Sequence, residues 1–123
     1  TSLRLRRLEA AFVSVNECLR RRPRYPDALV LRGQIHAAGN HEMDALADFD
    51  EALDIQPDFA PARLHRGILH LKAERLDAAL ADLDSAVEQE PDNVEYRLQR
   101  SAARHRNGDH AGADEDERRA RSL

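Results

Sequence analysis

The chain has 123 residues, enough for one modest hydrophobic core, and its net charge of −4 gives no bulk attraction to nucleic acid. Its single cysteine, Cys18, excludes an internal disulfide and a multi-cysteine zinc site. The sequence contains neither an apolar run long enough to span a membrane nor a signal peptide. We therefore expect no nucleic-acid partner and no membrane insertion. The start at Thr1 instead of Met leaves open that the native N-terminus lies upstream.

Helical patterns follow one another along the chain. The first predicted helix lies in residues 7–23, behind the short segment TSLRLR. Apolar residues then recur at helical spacing in three pairs of segments: 28–38 with 43–55, 62–73 with 77–89, and 95–106 with 110–122. No alternating strand pattern competes with them, so the sequence predicts an all-α protein.

Turn residues separate the predicted helices. Within the three pairs, the turns are marked by Gly39–Asn40, Glu74–Arg75 and Asn107–Asp109. Pro57 and Pro91 end the second helix of a pair, because proline lacks an amide hydrogen and disfavours helix in the residue before it. The aspartates that follow, Asp58 and Asp92, are the predicted N-caps of the next helices.

The helix pairs are copies of one another. Aligned without a gap, residues 26–59 and 60–93 are identical at 12 of 34 positions, whereas chance gives about two or three. The frame continues forward into residues 94–123 and backward into residues 1–25. The chain is therefore built from a repeated helix–turn–helix unit.

This 34-residue unit resembles the tetratricopeptide repeat. The resemblance rests on recurring small residues and prolines: Gly33, Gly67 and Ser101 in the first helix; Ala11, Ala45, Ala79, Ala113 and then Cys18, Ala52, Ala86, Ala120 in the second; and Pro23, Pro57, Pro91 after it. A bulky apolar residue stands between the small ones at Val15, Phe49 and Leu83, but the last unit has Glu117 there. Small residues let two helices approach closely, and bulky ones fill the space between units.

The resemblance implies a right-handed superhelical solenoid of antiparallel helix pairs in a single domain. Residues 1–25 would form a half-unit or capping helix, residues 26–59 and 60–93 two regular repeats, and residues 94–123 a divergent last repeat. The position of Cys18 in this frame is one that the family fills with a small buried residue, so we expect an inert thiol.

An arginine and an aspartate recur 16 residues apart in each unit. The pairs are Arg32 with Asp48, Arg66 with Asp82, and Arg100 with Asp116. The planar guanidinium group can donate two hydrogen bonds to one carboxylate, either within a unit or to the next unit. A charged ligand site is one interpretation; we favour ion pairs that fix the register of the stacked helices.

The resemblance also implies that the first helices line a concave groove that binds peptides. Carried over position by position, the groove residues are Val30, Gln34, Ala37, Leu64, Ile68, Leu71, Lys72, Leu98, Ala102, His105 and Arg106. This set predicts an apolar floor with a basic end. Some of its apolar members are expected to pack between units instead.

Charge is segregated between the two kinds of helix. Segments 28–38, 62–73 and 95–106 carry eight basic residues and one glutamate, whereas segments 43–55, 77–90 and 109–122 carry fifteen acidic residues and three arginines. Basic first helices favour a protein or peptide partner with an acidic segment.

Catalytic and metal-binding patterns are weak. His36, His41 and Asp44 are close in sequence, but His36 and His70 share a position where the family usually has an aromatic residue, which favours packing. No glycine-rich phosphate loop, nucleophile elbow or HExxH motif is present. We expect a non-catalytic interaction module that needs neither a cofactor nor a metal.

The N-terminal half-unit raises a second hypothesis, self-assembly. Its apolar residues Leu5, Leu8, Phe12, Val15 and Leu19 cannot all be buried against a single neighbouring helix. A second copy of the chain, a partner helix or upstream sequence would cover them. The chain is therefore either a piece of a longer array or a module that forms homo-oligomers.

Overall fold

The computed structural model describes residues 2–123, and all regular structure in that range is α-helical. Its helices are α1 (Ser2–Arg21), α2 (Pro26–Ala38), α3 (Glu42–Ile55), α4 (Ala60–Lys72), α5 (Leu76–Gln89), α6 (Val94–Arg106) and α7 (His110–Ser122). The all-α prediction is confirmed; α2 to α7 begin and end within two residues of the predicted segments, but α1 begins five residues before its predicted start.

The chain divides between Ala62 and Arg63 into two compact units. In the first unit α1 packs on α2 and α2 on α3; in the second, α5 packs on α6 and α6 on α7. Short connections of three or four residues join consecutive helices, as expected for antiparallel neighbours. The prediction of a single domain over residues 1–123 stays a prediction.

The predicted turns share one backbone conformation. Asn40, Glu74 and Gly108, which lie 34 residues apart, all have positive φ angles, of 64°, 61° and 84°. This left-handed residue reverses the chain after α2, α4 and α6, and the next amide then bonds a carbonyl five residues back, as His41 N does to His36 O at 2.8 Å. Only the third unit has glycine there, although glycine adopts this conformation most readily.

The predicted N-caps lie one residue too early. Helix α6 is capped by Asn93, whose side chain accepts a hydrogen bond from Tyr96 N at 3.1 Å. Asp92 instead accepts one from Arg119 at 2.9 Å. Helix α4 begins at Ala60, so that Asp58 lies in the turn before it. Each proline is followed by two connecting residues, whereas the predicted caps implied one, and the local sequence did not reveal the difference.

The first helix begins five residues earlier than the predicted segment 7–23. Residues 2–6 continue helix α1, which runs unbroken to Arg21; Thr1 lies outside the described residues. The N-terminal half-unit is thus one long helix of the second type.

Small and bulky residues pack as the repeat pattern predicts. Phe49 and Leu83 are fully buried between alanines that are themselves buried. A Cβ atom at Gly33 would lie 2.5 Å from Phe49 Cε1, so only glycine permits this approach of α2 to α3. Cys18 is only half-buried, because the α1 face that carries it borders an open cleft.

Candidate functional site

The three recurring aspartates are buried and paired within their own unit. Asp48, Asp82 and Asp116 are at most 4% exposed. In each pair the arginine donates two hydrogen bonds, from Nε and from Nη2, to the two carboxylate oxygens. The Nε and Nη2 distances are 2.9 and 2.7 Å for Arg32 with Asp48, 2.8 and 2.8 Å for Arg66 with Asp82, and 2.9 and 2.7 Å for Arg100 with Asp116. The hydrogen bond to Asp48 is the main reason that the pKa of Arg32 is raised.

More basic side chains lie around each buried carboxylate than the sequence suggested. Arg63 Nη1 lies 3.3 Å from Asp82, and Arg97 Nη1 lies 3.1 Å from Asp116. One further position of the repeat lies near the same carboxylates. It holds His36, 3.7 Å from Asp48; His70, 4.0 Å from Asp82; and Arg104, 3.0 Å from Asp116. The recurrence of Arg63 as Arg97, 34 residues later, was a signal that sequence reasoning missed. Much of the positive charge on the first helices of the units is therefore neutralised by these buried carboxylates.

The predicted groove residues differ in accessibility. Val30, Leu64 and Leu71 are 5%, 2% and 6% exposed, so these side chains offer little surface to a ligand. The half-buried members are Ala37, Ile68 and His105, and the exposed members are Gln34, Lys72, Leu98, Ala102 and Arg106. Val30, Gln34 and Ala37 belong to the first unit and the others to the second. Their role in peptide binding stays a prediction.

The exposed face of α6 presents a short apolar row. Val94 and Leu98 are 41% and 47% exposed, and Ala102 is also exposed. Spacings of four residues place them on one side of the helix, followed by Arg106. Arg106 Nη1 donates to Leu71 O and Glu74 Oε1, both at 3.0 Å, and half of its side chain remains exposed. We call Val94, Leu98, Ala102 and Arg106 the α6 stripe; the sequence reading did not include Val94.

The predicted self-association residues also separate by burial. Val15 and Leu19 are buried, Leu8 and Phe12 are half-buried, and Leu5 is 59% exposed. The Phe12 ring contacts the His36 ring edge to face at 5.3 Å. Leu5, Leu8 and Phe12 line one side of an open cleft of about 430 Å³, with Ile35 and His36 opposite.

A second cleft of about 450 Å³ lies along another face of α1. Ala11, Val15 and Cys18 line it, together with Ala28 and Leu31 of α2. In the repeat, these three α1 residues occupy the positions of Ala45, Phe49 and Ala52 in α3. Phe49 is the residue that contacts Gly33 of α2. The cleft thus lies where a first helix would pack on α1.

A polar cluster joins the end of α6 to α7. His105 Nε2 lies 3.1 Å from Glu117 Oε1, which also accepts a hydrogen bond from Ser101 Oγ at 2.8 Å. These two hydrogen bonds, that of Ser101 first, lower the pKa of Glu117. Ligand atoms of His105, Asp114 and Glu117 all lie within 4.8 Å of one another, the one such group among the described residues. Asp114 and Glu117 belong to the acidic run DEDE at residues 114–117.

None of the helices in residues 2–123 combines the length and the apolar character that crossing a bilayer requires.

Two family models, both described as Tetratricopeptide repeat, match the sequence, one over residues 43–114 and one over residues 3–61. No curated protein matches it.

Solved structures resemble the fold along nearly all of the chain. The TPR protein TTC0263 of Thermus thermophilus has a TM-score of 0.82 at 22% identity, covering 96% of this chain and 66% of that one. MamA 41-end from Desulfovibrio magneticus RS-1 has a TM-score of 0.81 at 21% identity, covering 98% and 68%. A tetratricopeptide repeat protein of Parabacteroides merdae ATCC 43184 has a TM-score of 0.79 at 21% identity, covering 97% and 46%.

At these identities the likeness concerns the fold alone, and it confirms the predicted helical repeat solenoid. The chain spans about two thirds of the length of the first two proteins and less than half of the third.

Proposed function

Because this chain belongs to the tetratricopeptide repeat family, whose members are typically non-catalytic interaction modules, we propose that it binds a peptide or helix of a partner protein. The observation that carries the proposal is the α6 stripe, an exposed apolar row that ends in a basic residue. A ligand would place apolar side chains on Val94, Leu98 and Ala102. An acidic segment of the same ligand would face Arg106 and Lys72.

Burial restricts which predicted residues can make these contacts. Leu64 and Leu71 offer a ligand little contact area, because their side chains are buried. Leu98 is the largest exposed apolar residue of the predicted groove and carries the most contact area. Since burying apolar area is the main favourable term in association, Leu98 should dominate affinity.

The basic residues contribute mainly attraction and specificity. Lys72 is exposed, whereas Arg106 is partly neutralised by Glu74 at 3.0 Å. A carboxylate from a ligand would compete with Glu74 for this guanidinium group. Charges at the rim of an interface act mainly on the association rate and on its salt dependence.

The test is a selection of peptides from a random phage library on the purified chain. We expect enriched sequences that combine apolar and acidic residues, and synthetic versions should bind measurably in fluorescence anisotropy. Leu98→Asp should abolish this binding, and Lys72→Glu with Arg106→Glu should weaken it and reduce its salt dependence.

Matched controls carry the same changes at exposed positions elsewhere. Met43→Asp is the control for Leu98, and Arg24→Glu with Arg118→Glu is the control for the double charge reversal. Selected peptides that bind all these variants equally well would refute the α6 stripe as the binding surface.

A second candidate function is self-assembly through α1. It is favoured by the exposure of Leu3 and Leu5, at 57% and 59%, beside the cleft that Leu8 and Phe12 line. A second copy could cover these side chains with its own apolar residues. Exposed apolar patches on otherwise polar helices mark such interaction sites.

Sedimentation equilibrium over a concentration series tests this candidate. We expect an oligomer that Leu5→Asp converts to a monomer, while Met43→Asp leaves the mass unchanged. Leu5 is a better target than Phe12, because Phe12 packs against His36 and its replacement would also disturb the fold. A monomer at every concentration would exclude self-assembly and leave peptide binding unaffected.

A further inference from the structure

Four positions that hold leucine in the second unit hold potential metal ligands in the third. Leu71, Leu76, Leu80 and Leu83 are replaced, 34 residues later, by His105, His110, Asp114 and Glu117. The first unit has Leu46 and Phe49 at the last two of these positions. At the first two positions the first unit has Ala37 and Glu42, so only in the third unit do all four positions hold imidazole or carboxylate groups.

Exposure alone does not account for the residue types. A terminal repeat needs a polar outer face, which lysine or arginine would also provide. The chain contains 19 lysine and arginine residues, yet none occupies these four positions. All four hold imidazole or carboxylate groups, the side chains that bind divalent transition metals.

The geometry brings three of the four side chains together. Asp114 and Glu117 lie three residues apart on α7 and so share a face of the helix, and His105 reaches them from the end of α6. Their ligand atoms lie within 4.8 Å of one another. Tetrahedral ligands bound about 2.0–2.2 Å from zinc are about 3.4 Å apart, so small side-chain rotations would close the site.

Neighbouring groups hold two of these ligands in place. Ser101, which is 2% exposed, donates its hydroxyl to Glu117 at 2.8 Å. His105 Nδ1 lies 2.9 Å from His110 Nδ1, so the two rings share a hydrogen bond. When His105 Nδ1–H is the donor, Nε2 presents its lone pair toward Glu117, as a metal-binding histidine does.

We propose that His105, Asp114 and Glu117 bind a divalent transition metal, best matched by Zn²⁺, with His110 and Ser101 as positioning residues. One imidazole nitrogen and two carboxylates suit zinc, while the imidazole disfavours Mg²⁺ and Ca²⁺. The ion would fix α7 to the end of α6 and stabilise the last helix pair. The site contains no residue of the α6 stripe, although His105 also belongs to the predicted groove.

Calorimetric titration of the full chain with ZnCl₂, after removal of any polyhistidine tag, tests the proposal. We expect one Zn²⁺ per chain, a rise in melting temperature with Zn²⁺, and no comparable effect of Mg²⁺. Co²⁺ should give the visible absorption of a low-symmetry site. Asp114→Asn should weaken Zn²⁺ binding at least tenfold, and because Asp114 is exposed this variant should fold normally.

His105→Gln should also remove binding, whereas His41→Gln, which changes an exposed histidine elsewhere, should not. Absence of Zn²⁺ binding in the parent chain would overturn the proposal. Binding that both Asp114→Asn and His105→Gln retain would overturn it too, since the ion would then occupy another site.

Discussion

At the scale of single residues, the buried aspartates are the most consequential polar groups. A buried carboxylate is tolerated only when cations and hydrogen bonds replace its water shell. Asp116, which is completely buried, has the fullest replacement, since Arg97, Arg100 and Arg104 all donate to it at 2.7 to 3.1 Å. We infer that these pairs fix how the two helices of a unit align.

Asp116→Asn should therefore destabilise the fold by about 3–5 kcal/mol, because three guanidinium groups would lose the buried carboxylate that they share. Urea unfolding followed by circular dichroism measures this difference. Asp114→Asn makes the same chemical change at an exposed site two residues away and, in metal-free buffer, should change stability by no more than about 0.5 kcal/mol. Similar losses in both variants would contradict the structural role of Asp116.

At the scale of helices, the distance between the two helices of a pair depends on the residue that faces the small residue of the first helix. Gly33 faces the Phe49 ring, with which a Cβ atom would clash at 2.5 Å, whereas at Gly67 the nearest atom is Leu83 Cγ at 3.0 Å. In the third unit Ser101 takes this position and Glu117 stands opposite, so that a hydrogen bond replaces apolar packing. The spacing of the helices is thus set pair by pair.

Gly33→Ala should destabilise the protein by about 1–3 kcal/mol through overpacking, although alanine is the better helix former. Gly67→Ala should cost less, because Leu83 leaves more room. The same Gly33→Ala change should cost less in a Phe49→Leu background, as a double-mutant cycle in urea would show. An equal cost in both backgrounds would mean that Phe49 does not limit the approach.

At the scale of the whole molecule, stability should depend on pH above the range where carboxylates titrate. Burial lowers the pKa of His65 below its ordinary value of 6.5, and nearby Glu95 only partly offsets this. The folded chain therefore binds a proton at His65 less readily than the unfolded chain. This contribution to stability is complete above pH 6.5 and is lost as the pH falls below it.

The urea concentration at the unfolding midpoint of the parent chain should thus decrease when the pH is lowered from about 7.5 to about 5.5. The decrease should be smaller for His65→Gln. The comparison of the two falls isolates His65 from other titrating groups. Equal falls in both proteins would show that His65 titrates alike in the folded and unfolded states.

The sequence determined the repeat, the helices, the turns and the Arg–Asp pairs. Helical periodicity and turn chemistry are local, and the 16-residue offset between Arg32 and Asp48 spans one helix pair joined by a short turn. A connection that short leaves few ways to align the two helices, so the offset itself predicts the contact.

Only the tertiary structure decided which residues remain accessible. Leu64 and Leu98 occupy equivalent positions in successive units, yet one is 2% and the other 47% exposed. The cluster of His105, Asp114 and Glu117 likewise emerged from the fold, because its members come from two helices. Periodicity predicts which face of a helix a residue occupies. Whether that face is buried depends on the other helices that pack against it, and no local sequence pattern specifies them.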